Sequence, residues 1–160
     1  MGSSTVTDHN LASLDENIAD SISVELSTPS LTHEWLNNGL IFRTTLYDNS
    51  RHTVDQYANR WLEIIGSTPL TKTVLFVLDI SHISFTIYGR SRSLELTRFR
   101  REVKGYVAIV EKNNLEAQFS QMIVRTMDRE TSNVRLRMFH AMDEAVAWVT
   151  QMEQLHQPTI

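Results

Sequence analysis

From residue 31 onward, short apolar runs alternate with longer amphipathic stretches, and that rhythm predicts strands and helices in turn. Glu34-Trp35-Leu36 reads as a short strand. Asn37-Asn38-Gly39 reads as a hairpin turn, because Asn and Gly accept positive φ, and Leu40 to Tyr47 as the returning strand. Val54, Tyr57, Ala58, Trp61, Leu62 and Ile65 fall at i, i+3, i+4 spacing, which predicts a helix over 53–65 closed by Gly66. Residues 73–80 form a continuous apolar run, the pattern of a central strand covered on both faces. A second helix is expected over 91–103, with Leu96, Phe99 and Val103 on its apolar side and Gly105 as its stop. Tyr106 to Val110 reads as another buried strand, and Asn114 as the cap of a helix carrying Leu115, Phe119, Met122 and Ile123.

Residues 134–139 alternate. Val134, Leu136 and Met138 face one way and Arg135 and Arg137 the other, as suits an exposed edge strand guarded against mispairing. The last helix is expected over about 141–155, with Met142, Ala145, Val146, Val149 and Met152 inward and Trp148 anchoring the layer. The resulting order, β-β-α-β-α-β-α-β-α, implies a single α/β domain. Its mixed, mostly parallel sheet should have about five strands and four helices, with right-handed crossovers. Residues 1–30, rich in Ser, Thr, Asp and Asn, read as a disordered acidic arm; 31–155 is the domain and 156–160 a tail.

Composition narrows the chemistry. The 160 residues include no cysteine, which excludes disulfides, thiolate metal sites and cysteine nucleophiles. The six histidines, at 9, 33, 52, 82, 140 and 156, are scattered without metal-ligand spacing. No nucleophile elbow, phosphate-cradling glycine loop or dinucleotide fingerprint is present. No metal, cofactor or catalytic residue is therefore expected, and the chain reads as a non-enzyme. The methionines at 122, 127, 138, 142 and 152 read as core filler. No apolar run approaches the ~18 residues of a membrane helix, and no signal peptide is recognised, so a cytoplasmic protein is expected.

The formal charge of −4 is unevenly spread. Residues 1–34 carry six acids and no Lys or Arg, whereas Arg90, Arg92, Arg98, Arg100, Arg101 and Lys104, against Glu95 and Glu102, crowd residues 90–104. Such segregation reads either as plain solvated surface or as the mark of a charged protein partner or of self-association as a homodimer. A sequence pI near 5.8 argues against a nucleic-acid partner.

Two stretches carry a family resemblance. Val77-Leu78-Asp79-Ile80-Ser81 ends the central strand, and a strand ending in Phe139 runs into Asp143-Glu144-Ala145-Val146-Ala147-Trp148-Val149. Together with the element order, these resemble the STAS domain family, in its SpoIIAA-like branch, over roughly residues 33–153. The resemblance implies a regulatory domain, like the anti-sigma-factor antagonists, that binds another protein in signalling. Phosphorylatable members carry an Asp-Ser-x-Gly-like motif after the central strand. Here residues 84–93 stand in that place and the Asp-Ser pair is absent.

The expected working surface gathers Asp79, Arg90, Ser91, Arg98 and Arg101 at the carboxyl end of the central strand and the start of the following helix. Ser91 and Ser93 are candidate phosphoacceptors. The plainer reading of Ser91 is a helix N-cap, compatible with phosphate acceptance, and that of Asp79 a carboxylate holding the next loop. A small-molecule or lipid-binding module of the same fold group is the second reading, and a large apolar pocket would favour it.

Overall fold

The computed structural model describes residues 28–131 and 133–156. Strands β1 (Leu31–Leu36) and β2 (Ile41–Leu46) form the expected hairpin. Asn37, Asn38 and Gly39 all adopt positive φ in its turn, at 50°, 57° and 84°. Strand β1 starts earlier than expected, because Leu31 pairs with Leu46 and Thr32 with Thr45. Then follow α1 (Arg51–Ser67), β3 (Val74–Asp79), α2 (Ile87–Arg98), β4 (Gly105–Val110), α3 (Leu115–Glu130), β5 (Val134–Phe139) and α4 (Met142–His156).

The five strands lie in sequence order, antiparallel in the first pair and parallel thereafter, so the α/β expectation holds. Strand β5 is an edge, as its alternation predicted. Helices α1, α2 and α3 cover one face of the sheet, and α4 alone covers the other. Against α1, Trp61 stacks on Phe76 with ring centroids 4.1 Å apart, and its indole N–H donates to the Thr44 hydroxyl at 2.8 Å. Under α4, Ala145 and Val149 are buried with Leu75, Val77 and Ala108. Trp148 is only half-buried, edge-on to Tyr106 and tilted against Phe139.

Helix α2 is displaced from the expected 91–103. It starts four residues earlier because the Thr86 hydroxyl accepts from the Gly89 N–H at 3.1 Å and caps it. It stops at Arg98 because the next turn is tied down elsewhere. The Arg100 guanidinium donates to the carbonyls of Ile65, Gly66 and Thr68 where α1 ends. Val103 is buried, but from a turn rather than a helix, and Phe99 is exposed. Asn114 caps α3 as expected, its side chain accepting from Ala117 N–H at 2.9 Å. The face of α3 differs: Ala117, Ser120 and Val124 are buried, while Leu115, Phe119 and Met122 are exposed. Met122 is therefore not core filler. The expected arm up to residue 27 and the tail from residue 157 lie outside the described residues.

Candidate functional site

Three parallel strands end together, with Asp79 beside Val110 and Val110 beside Phe139. The ladder continues one residue further. Ile80 N–H donates to the Val110 carbonyl at 2.9 Å, and Glu111 N–H to that of Phe139 at 3.0 Å. Ligands of open α/β sheets bind beyond such carboxyl ends, and here the two sides of the sheet differ.

Alternation along β3 decides where Asp79 points. Val74, Phe76 and Leu78 face α1, so Leu75, Val77 and Asp79 face the α4 side. The Asp79 carboxylate is 4% exposed. It accepts from the Ser81 N–H and hydroxyl at 3.1 and 2.7 Å and from Arg43 at 3.3 Å. Arg43 in turn pairs with Glu34 at 2.8 Å. Asp79 thus holds the loop after β3.

The remaining expected site residues lie on or beyond α2, across the sheet from Asp79, so the structure does not bring the set together. Ser91 is exposed at the fifth position of α2 rather than at its N-cap, past the first turn where the helix dipole acts. Ser93 is engaged inside: its hydroxyl donates to the Gly89 carbonyl at 2.9 Å and shares a hydrogen bond with the Tyr57 phenol at 3.0 Å. Burial pushes that phenol well above its ordinary pKa. Arg98 and Arg101 are exposed at the far end of α2. Eight residues separate Arg90 from Arg98, about 12 Å along a helix, so the basic residues form no single cluster.

Of the expected residues Arg90 and Ser93 line a cleft, and only Arg90 reaches its mouth. Helix α2 packs on α1 and α3 packs on β5, which leaves a gap between α2 and α3 floored by β3, β4 and β5. Its inner chamber, about 70 Å³, is walled by Trp61, Phe76, Leu78, Leu96, Val124 and Met127 among others. An outer mouth of about 280 Å³ opens at the carboxyl end of the sheet and shares Phe85, Arg90, Glu111 and Ser120 with the chamber. Gly89 makes room for the Phe85 ring, which a Cβ there would meet at 2.7 Å.

The polar groups of the mouth converge from four elements. Glu111, directly after β4, is 5% exposed. One of its oxygens accepts from the Ser120 hydroxyl of α3 at 3.2 Å; the other is buried with no hydrogen-bond partner among the described residues. Burial raises the Glu111 pKa, while the Ser120 hydrogen bond, Arg90 and His140 oppose that rise. The Arg90 guanidinium lies over the Phe119 ring, 5.9 Å from its centroid, and has no carboxylate partner among the described residues. Across the mouth, the Ser84 hydroxyl donates to Glu116 at 3.1 Å. The sequence carried one signal for this site: Glu111 prolongs a buried apolar strand with a carboxylate.

Among the described residues no cluster of histidine and carboxylate side chains is placed to hold a metal ion, and no helix is long and apolar enough to cross a membrane. Comparison with family models, with curated proteins and with solved structures finds no match.

Proposed function

We propose that this chain is a non-enzymatic regulatory module of the STAS type, resembling the SpoIIAA-like anti-sigma-factor antagonists, and that it docks a protein partner on the outer rim of the α2–α3 cleft. The observation that carries the reading is an apolar rim in solvent. Ile87 of α2 is 85% exposed, and Leu115, Phe119 and Met122 of α3 are 82%, 59% and 58% exposed. The three α3 residues stand at i, i+4, i+7, on one side of the helix. Large apolar side chains gathered on a polar surface mark interaction sites. Arg90 beside them, with Arg98 and Arg101 further along, suits a partner with acidic side chains.

Departure from the family's Asp-Ser motif favours binding without a phosphorylation cycle. Ser91 stays accessible to a kinase, whereas Ser93 is engaged by Tyr57. The test begins with affinity capture of the partner from the native host and mass spectrometry. The partner's affinity is then measured for wild type, Phe119→Asp and Arg98→Glu/Arg101→Glu. Phe119→Asp is expected to weaken binding at every salt concentration, and the charge reversal to weaken it mainly at low salt. Equal binding by all three proteins would overturn the reading.

A second reading, a small-molecule site of the same fold group, is favoured by one specific observation: the apolar chamber behind the rim.

A further inference from the structure

We propose that the chamber and mouth between α2 and α3 bind a small neutral amphiphile, with an alkyl or aryl body in the chamber and a hydroxyl or carboxamide head between Glu111 and Arg90. This inference does not rest on the docking of a protein partner.

Shape comes first. The 70 Å³ chamber is too small for a lipid chain, but with the 280 Å³ mouth it reaches the lower end of the ~300–1,000 Å³ of ordinary ligand sites. Its apolar walls offer a body only dispersion and desolvation. Widening it asks little of the backbone, because α2 and α3 are each braced from the outside and do not form a packed pair. Met127, on the α3 side, is unbranched and adapts to irregular occupants.

The head is set by two groups that the fold leaves with spare capacity. Glu111 offers a buried oxygen with no hydrogen-bond partner among the described residues. Arg90 offers N–H donors free of any described carboxylate. A buried acceptor without a partner costs free energy, so a ligand donor reaching it gains more than it would in water. An anionic head would suit Arg90 and face Glu111 with like charge; a cationic head would do the reverse. A hydroxyl or primary carboxamide both donates and accepts, and so satisfies the pair together. It also suits Glu111 in either protonation state.

The experiment is a methyl NMR titration of the full chain with four six-carbon probes: 1-hexanol, hexanamide, hexanoate and hexylamine. Methyl groups of Leu96, Ile123, Val124 and Met127 report the cleft; those of Val77 and Val149, under α4, are controls. Hexanol and hexanamide are expected to shift the cleft methyls alone, binding about tenfold more tightly than the two ions, the scale of one hydrogen bond to a charged group. Glu111→Gln should raise hexanoate affinity about tenfold, and Arg90→Ala should do the same for hexylamine. A purely apolar void would bind all four probes equally and keep that pattern in both variants. That outcome, equal shifts at the control methyls, or no shift up to the solubility limit of hexanol would each overturn the proposal. Loss of partner binding in Met122→Asp, a rim position that lines neither chamber nor mouth, with probe binding retained would separate the two readings.

Discussion

In α1, Val54, Tyr57, Ala58, Trp61 and Ile65 are buried against the sheet; in α3, Leu115, Phe119 and Met122 stand in solvent while Ala117, Ser120 and Val124 turn inward. Both helices present apolar side chains at helical spacing. The difference lies in what each can reach. Helix α1 has interior strands beneath it and α2 beside it, so every apolar position on its inner half meets another surface. Helix α3 lies along β5, the edge strand, and across the cleft α2 stands away from it. Periodicity names the apolar side of a helix; neighbours decide how much of that side is covered.

The largest expected effect tests the closed side. Trp61→Ala removes the ring stacked on Phe76 and leaves the Thr44 hydroxyl without its indole donor, so it should cost about 3–5 kcal/mol. Denaturant midpoints measure it. A loss below about 1 kcal/mol would mean that the α1 side is as loosely packed as the cleft.

Next comes Trp148→Ala under α4. The sequence pattern makes Trp148 an anchor, and its contacts with Tyr106 and Phe139 agree, but it is only partly buried. The expected loss is about 2 kcal/mol, smaller than for a fully buried ring. An effect equal to that of Trp61→Ala would show that exposure is a poor guide on this face.

These contrasts also mark what was legible in sequence. The element order, the hairpin turn at Asn37–Gly39, the Asn114 cap and the edge character of Val134–Phe139 are local or periodic signals, and the structure carries each. The start of α2 was not legible, because Thr86 and Ser91 are equally good caps by composition. Only the bond from Gly89 N–H to Thr86 distinguishes them. The separation of Asp79 from Arg90 needs the pleat of β3, which puts a residue one position along on the opposite face. The cleft is a property of how two helices are braced by third parties, and no segment of sequence encodes that alone.

Glu111→Gln sharpens the comparison at the cleft itself. A carboxyl group whose pKa is higher folded than unfolded holds its proton more firmly in the native state. Stability from that proton is present at low pH and is lost as pH rises from the unfolded pKa through the raised folded one. The titratable groups facing Glu111 are Arg90 from α2, Glu116 from α3 and His140 after β5, and all three persist in the variant. Glu111→Gln should therefore be more stable than wild type at pH 7 by about 1 kcal/mol, the scale of a buried polar group freed of its desolvation cost. The difference should vanish below about pH 4, where an ordinary glutamate is protonated in both states. Thermal melts of the two proteins across pH 3–8 read this directly, and a difference independent of pH would assign the effect to packing.

The smallest expected effect on stability is Phe119→Ser, and it is the sharpest test of the open side. If the exposed stripe of α3 is surplus to the fold, removing its largest ring should change stability by no more than about 0.5 kcal/mol, as for most surface sites. The lost cation–π contact with Arg90 lies at an exposed position and is worth little there. Phe119 nevertheless sits between the apolar rim and the mouth, so its loss should lower surface hydrophobicity, read as weaker binding of an environment-sensitive dye. A loss comparable to that of Trp61→Ala would make α3 a core helix in its outer half as well. The contrast between α1 and α3 would then collapse, and with it the argument that the rim is kept for a partner.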